Sequence, residues 1–366
     1  MSLAGLCISR SGVDITLVTD QGGSLQTSER RPIVSGSNLD PIIANADSLT
    51  STIASLATTY PRELTVLSVS AQLRPHHRDA FLRKAGLTVD RRFTITHIDA
   101  YIATLDDREV ETEPCILVIE VTTKKYSGHL VTVRSDQGER VAYPLRTEGS
   151  TPSYPLNEFI HQIYTWAQRH KYNVSKCVLL DVSPEIIDRT LIQSSFASTT
   201  SLGVFTGADL SRFAALYAFK NIDTLRDPDE GIEDGEYETP AAISFSIGNA
   251  DPQVIIAKDV MYPSFEEVVF ETPIKQSRIS VEFQLGSGSV SQNDGKFTFA
   301  TIILDGLSSD IEPKFTVSAS VDEETDFIEV FQGLDKEEAV ARVLLQIPEP
   351  FYGRAWDAVK ATEANK

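Results

Sequence analysis

The sequence predicts a mixed fold: an α/β region of duplicated design over residues 1–221, an acidic linker, and an all-β region from 241 to 348. Three observations predict it. Up to residue 221, strand-like and helix-like runs alternate in two passes, and each pass includes a hairpin of strands. Residues 222–240, IDTLRDPDEGIEDGEYETP, are acidic, hold Pro and Gly and offer few apolar anchors, which is the composition of a linker. Beyond them helical periodicity disappears and short strands separated by turns follow, the pattern of an antiparallel β-sandwich. A chain of 366 residues has room for two cores of this kind.

The first pass opens with strands 3–9 and 13–19 around Ser-Arg-Ser-Gly, followed by the turn Gln21-Gly-Gly-Ser24. Leu49, Ile53 and Leu56 stand at helical spacing in a helix over 46–58 that ends before Pro61. A strand at 64–70, a helix over 76–85 closed by Gly86, a strand at 92–96 and a helical segment at 98–105 complete it.

The second pass begins at Pro114 with a near-continuous apolar run, Cys115 to Val121, as expected of a strand buried on both faces. HLVTVRS and ERVAYPL form two strands joined at Asp136-Gln-Gly138. An amphipathic helix over 155–170, a strand at 177–181, a helix over 184–195 and a helix over 207–221 follow. In the all-β region the strands are AAISFSI, QVIIA, EEVVFET, RISVEFQL, KFTFATIIL, KFTVSASV and DFIEVFQ; the tail, 349–366, holds a short helix at 355–362.

Composition narrows the function. A formal net charge of −19 repels a phosphate backbone and argues against direct nucleic-acid binding. The local basic pairs Arg30-Arg31 and Lys124-Lys125 read as solvated turns. No apolar run has the length of a membrane helix and the N-terminus has no signal-peptide pattern, so a cytoplasmic or nuclear location is expected. The three cysteines, Cys7, Cys115 and Cys177, sit in apolar runs without C-x-x-C spacing and read as buried strand residues. His76-His77 is an adjacent pair that shares no face, so no metal site is expected there. Gly286-Ser-Gly-Ser-Val290 has no following helix and reads as a flexible hairpin, and Asn173-Val-Ser175 is a glycosylation sequon without a secretory signal.

Several stretches resemble the 70-kilodalton heat-shock chaperones, which join an actin-like ATPase domain to a peptide-binding β-sandwich. GLCISRSGVDITLV lies where that family has its first phosphate hairpin. LTVLSVSAQLRPHHRDAFLRKAGLTVDRRFTITHIDAYIATL is similar to its strand, helix, Ala-Gly-Leu, strand and helix start. CILVIEVTTKKYSGHLVTV stands at the second phosphate hairpin, CVLLDVSPEII at the adenosine-side loop, and QVIIAKDVMYPSFEEVVFET at the opening of the sandwich. The resemblance spans residues 3–348 and implies a shortened α/β domain of actin-like, ribonuclease H-like design. The intervals that would hold the two roofing lobes of the cleft are short.

An actin-like ATPase needs glycines where backbone N–H groups approach phosphate, and carboxylates around magnesium. Mapped by the resemblance, the first hairpin has Cys7 at its acidic position, Ser9 at its glycine and Arg10 at a hydroxyl. The second keeps the carboxylate Glu120 but has Thr122, Thr123 and Lys124 in place of glycines. The third has Asp181-Val182 for Gly-Gly, then Ser183, and the family's Glu-Pro position falls near Ile98-Asp99. These positions imply a degenerate cleft, so neither a cofactor nor catalysis is expected: the chain reads as a pseudo-ATPase. The acidic linker would be costly to bury and argues against nucleotide-driven allostery.

The expected role is a chaperone-like interaction scaffold or co-chaperone subunit. Its partner would be a protein or an extended peptide, with a homodimer as one way of covering sheet left open by the missing lobes. Residues 253–265 and 278–285 would line a peptide groove, or else be core. The alternatives are a rearranged ATPase or phosphotransferase with Glu120 and Asp181 on magnesium, and a nucleotide-independent peptide-binding chaperone.

Overall fold

The structure is a computed structural model that describes residues 2–9, 12–21, 24–35, 65–69, 94–121, 126–136, 139–151, 153–182, 187–221, 242–248, 250–257, 260–261, 264–271, 278–285, 297–305, 314–321, 326–332 and 341–345. The helices expected at 46–58, 76–85 and 355–362, the linker 222–240, His76-His77, Lys124-Lys125 and the Gly286 hairpin lie outside the described residues.

The first half forms a five-stranded sheet from β1 (Ser2–Ser9), β2 (Gly12–Gln21), β3 (Ser24–Ser35), β4 (Thr65–Val69) and β5 (Thr94–Thr96), in the order β3-β2-β1-β4-β5. β2 is antiparallel to β1 and β3, while β1, β4 and β5 run parallel. The second half repeats this with β6 (Cys115–Val121), β7 (Tyr126–Asp136), β8 (Glu139–Ser150), β9 (Val174–Leu180) and β10 (Ser201–Phe205), in the order β8-β7-β6-β9-β10. Its directions match strand for strand. The duplicated α/β design expected from the sequence is therefore present, and it has the two-lobed plan of an actin-like fold.

Within these two halves, two strands were not expected. β3 contains Arg30 and Arg31, paired with Thr16 and Ile15, so this basic pair lies in a strand and not in a solvated turn. Its polar sequence SLQTSERRPIVS suits an edge strand, where proline and charge are tolerated. β10, SLGVF, is the short fifth strand of the second half. The helix expected over 184–195 is described only as α4 (Arg189–Gln193).

The remaining helices are α1 (His97–Ile102), α2 (Asp107–Glu111), α3 (Leu156–Arg169) and α5 (Gly207–Lys220). Two of them cross between the halves: α5, from the second, lies on β1, β2 and β4, and α1, from the first, leans on α5 and β8. Small residues make the α5 contact close, since Ala214, Ala215 and Ala218 are buried and a side-chain carbon on Gly5 of β1 would stand 1.9 Å from the Ser211 carbonyl oxygen. The shared core holds Cys7, Val66, Ile98, Tyr101, Val118 and Phe213. β6 alternates strictly: Ile116 and Val118 face this core, while Cys115, Leu117 and Ile119 face α3 through Phe159, Ile160 and Ile163.

In the C-terminal region the strands are β11 (Ile243–Ile247), β12 (Gln253–Ile256), β13 (Ser264–Glu271), β14 (Arg278–Leu285), β15 (Phe297–Asp305), β16 (Lys314–Val321), β17 (Asp326–Gln332) and β18 (Ala341–Leu345). They form antiparallel ladders in two groups, β15-β14-β11-β12 and β13-β16-β17-β18. The first group is not a separate sheet. β15 pairs in parallel with β8, from Ala300↔Thr147 to Ile303↔Ser150, making one nine-stranded sheet with the second half.

Side chains reinforce that junction. Arg146 donates to Glu148 Oε1 at 2.5 Å and to Thr301 Oγ1 at 2.9 Å, and its guanidinium lies over Trp166. Gln162 donates to the other Glu148 oxygen at 3.2 Å, so this fully buried carboxylate has both oxygens bonded. In the expected groove, Ile255, Ile256, Ile279, Val281 and Phe283 are buried core residues.

Candidate functional site

The ends of β1, β6 and β9 and the starts of α1 and α5 meet between the two halves. Both helices open with the same capping box, Thr-x-x-Asp. Thr96 Oγ1 accepts from the Asp99 N–H while Asp99 Oδ2 accepts from the Thr96 N–H, and Thr206 and Asp209 repeat the exchange. Asp99, near the position the resemblance gave to the Glu-Pro helix start, uses its carboxylate as a cap.

At the first helical position of α1, His97 is fully buried. Its Nε2 lies 3.4 Å from Cys7 Sγ on β1, and its Nδ1 lies 3.1 Å from Glu120 Oε1 on β6. The second separation is an ion-pair distance without hydrogen-bond alignment, so Nδ1 makes a close electrostatic contact and no hydrogen bond among the described residues. Burial raises the Cys7 thiol well above its ordinary pKa, and the charges of Asp181, Asp14 and Glu120 raise it further. Cys7 is therefore a neutral thiol beside Nε2, with the Glu120 carboxylate on the Nδ1 side of the ring.

The first position of α5 is Gly207. A side-chain carbon there would meet Asp14 Oδ2 at 2.6 Å and Asp181 Oδ1 at 3.3 Å, so two carboxylates pack against the start of a 14-residue helix. The helix dipole favours negative charge at that end. Asp181 has φ +58, a left-handed conformation of the kind glycine usually supplies. The backbone there suits glycine, and the residue present places an anion instead.

Of the residues singled out by sequence, Cys7, Glu120 and Asp181 come together around this cleft. Ser9 ends β1 and its side chain is not described, while Arg10, Thr122, Thr123, Lys124 and Ser183 lie outside the described residues. Sequence reasoning missed His97 and Asp14. The Thr-x-x-Asp boxes at 96–99 and 206–209 would have marked His97 and Gly207 as equivalent positions.

No protein-family model and no curated protein matches the chain. Among solved structures it is similar to the Aquifex aeolicus PPX-GPPA enzyme, at 15% identity over 49% of this chain and 67% of that one, with a TM-score of 0.30. It is also similar to a Bacteroides thetaiotaomicron protein described as having an actin-like ATPase fold and unknown function, at 8% identity over 59% and 95% of the two chains, TM-score 0.34. Neither is described as a heat-shock chaperone. At these scores the fold itself rests on the duplicated strand order.

Polar groups continue along the inner face of the second sheet. Ser127 Oγ bonds His129 Nε2 at 3.0 Å and Thr147 Oγ1 bonds Nδ1 at 3.3 Å, so both nitrogens of this buried ring are satisfied. Burial pulls its pKa down to about 4 against the opposing charge of Glu120. Cys7 and Glu120 stand on opposite nitrogens of the His97 ring, and among the described residues no three His, Cys, Asp or Glu side chains converge as ligands.

At the amino end of the same sheet, a hollow of about 380 Å³ is lined by Thr132, Arg134, Lys171, Tyr172 and Ser175, among others. Its Arg134 is paired with Glu113 at 3.0 Å. Among the described residues no helix is long and apolar enough to cross a membrane.

Proposed function

We propose that this chain is a non-hydrolysing protein of actin-like fold that serves as an interaction scaffold without a nucleotide cycle. The carrying observation is the pair of carboxylates, Asp14 and Asp181, packed against the first residue of α5. A nucleotide phosphate placed there would meet two anions where an actin-like ATPase offers glycine backbone. ATP therefore does not fit the residues present. The expected result is that ATP or ADP, with magnesium, leaves the melting temperature unchanged and is not hydrolysed, because a ligand bound only by the folded state must raise stability. A dose-dependent rise with either nucleotide would sink this reading.

A rearranged ATPase or phosphotransferase is the second reading. It is favoured by three carboxylates, Asp14, Glu120 and Asp181, within electrostatic reach of Cys7. It requires turnover that Glu120→Gln abolishes while the fold survives; turnover untouched by that change removes the assignment.

A nucleotide-independent chaperone is the remaining alternative, with an extended peptide as its partner. Val254, Met261, Phe265 and Val269 are large apolar residues left exposed on β12, on β13 and between them. Because β15 is paired with β8, aggregation suppression is to be measured on the full chain and not on residues 241–348 alone.

A further inference from the structure

We propose that Cys7, His97 and Glu120 form an interlobe clamp, through which the two halves are held together by the protein's own side chains without a ligand. Cys7 belongs to the first sheet and Glu120 to the second, and the His97 ring stands between them. Each side chain is almost fully buried. The ring contacts one half through each nitrogen, 3.4 Å to sulfur and 3.1 Å to carboxylate, so parting the halves must break at least one contact. Parting them would also leave a buried polar group exposed to a gap or without its partner.

The relay has the order of an activated nucleophile, with thiol, imidazole and carboxylate in line. Its setting opposes that chemistry. Asp14, Glu120 and Asp181 surround the thiol with negative charge, which disfavours the thiolate, and Cys7 has no exposed surface for an electrophile. What remains is a link between lobes. The absence of a nucleotide cycle is not a premise here, since the clamp rests on the three side chains alone.

Thiol labelling of the full chain, read cysteine by cysteine by peptide mass mapping, tests it. Cys115 and Cys177 are buried within the second half and serve as internal controls. In the native wild type all three should be strongly protected relative to the denatured chain. In His97→Gln, Cys7 should label at least ~10-fold faster while Cys115 and Cys177 keep their rates, because local opening exposes one unit and leaves the others shut. Glu120→Gln, which preserves shape, should speed Cys7 in the same selective way. Equal acceleration of all three cysteines would mean general destabilisation and overturn the clamp. So would unchanged Cys7 protection in both variants, or a wild-type Cys7 that labels as fast as in the denatured chain. ATP binding would sink the scaffold reading and leave this result standing.

Discussion

The starts of α1 and α5 are built from the same box, Thr96-x-x-Asp99 and Thr206-x-x-Asp209, and solve opposite problems at their first residue. At α1 that residue is His97, whose ring fills the gap between Cys7 and Glu120. At α5 it is Gly207, whose missing side chain leaves room for Asp14 and Asp181. One start projects a side chain outward to both halves, and the other receives carboxylates from both. In each case the cleft is filled from within. Duplicated elements can thus preserve a fold while the groups at their matching helix starts diverge completely.

The largest expected effect comes from unseating α5. In Gly5→Ala the added carbon would meet fixed backbone, the Ser211 carbonyl at 1.9 Å and the Ala215 nitrogen at 2.5 Å, so helix and sheet must separate. The cost should reach about 3–5 kcal/mol in urea unfolding, at the upper end for overpacking. Gly128→Ala is the counterpart in the second half, where α3 packs on β7. There the nearest atom is Ile163 Cδ1 at 2.5 Å, the movable end of a side chain, and about 1–2 kcal/mol is expected. Equal costs at the two positions would show that α5 is not seated more tightly than α3.

Next in size is a pH effect on the inner face of the second sheet. His129 is neutral when folded, its pKa lowered to about 4 by burial, whereas the unfolded ring titrates near its ordinary value of about 6.5. Between those values the unfolded state binds more protons, so stability rises with pH there. Its contribution is full above the unfolded value and is lost as pH falls toward 4. The shift corresponds to about 3 kcal/mol. Chemical denaturation of His129→Gln from pH 7 to pH 4 should show that much less pH dependence than the wild type. A slope identical in the two proteins would place the titration elsewhere.

The elements legible in the sequence are those whose signals are local. α5 was legible because a capping threonine is followed by apolar residues at helical spacing, and β6 because seven consecutive residues, CILVIEV, suit a doubly buried strand. β3 was not, because Glu29, Arg30, Arg31 and Pro32 interrupt any strand pattern and only its pairing with β2 reveals it. The β8–β15 junction was invisible for another reason: Thr147 and Ala300 meet only in the folded chain, and no local preference encodes that pairing. The cleft divides the same way. Cys7, Glu120 and Asp181 were singled out through the family resemblance, and His97 is marked by its capping box, whereas Asp14 acquires meaning only when both halves are assembled.

The smallest effect concerns helix ends. Lys171 follows α3 at φ +63; its N–H donates to Gln168 O at 3.0 Å and the Tyr172 N–H to Ala167 O at 2.9 Å, which is a Schellman closure normally completed by glycine. Glu113 follows α2 at φ +46, and its carboxylate accepts from Arg134 at 3.0 Å. Lys171→Gly relieves the left-handed backbone and should stabilise by about 0.5–1 kcal/mol, the relief exceeding the entropy that glycine adds to the unfolded chain. Glu113→Gly relieves the same kind of strain but forfeits the partly exposed ion pair, so its gain should be smaller. The denaturation midpoints at constant m-value decide between them. A larger gain at Glu113 would mean that the pair with Arg134 adds nothing and that strain alone ranks these two ends.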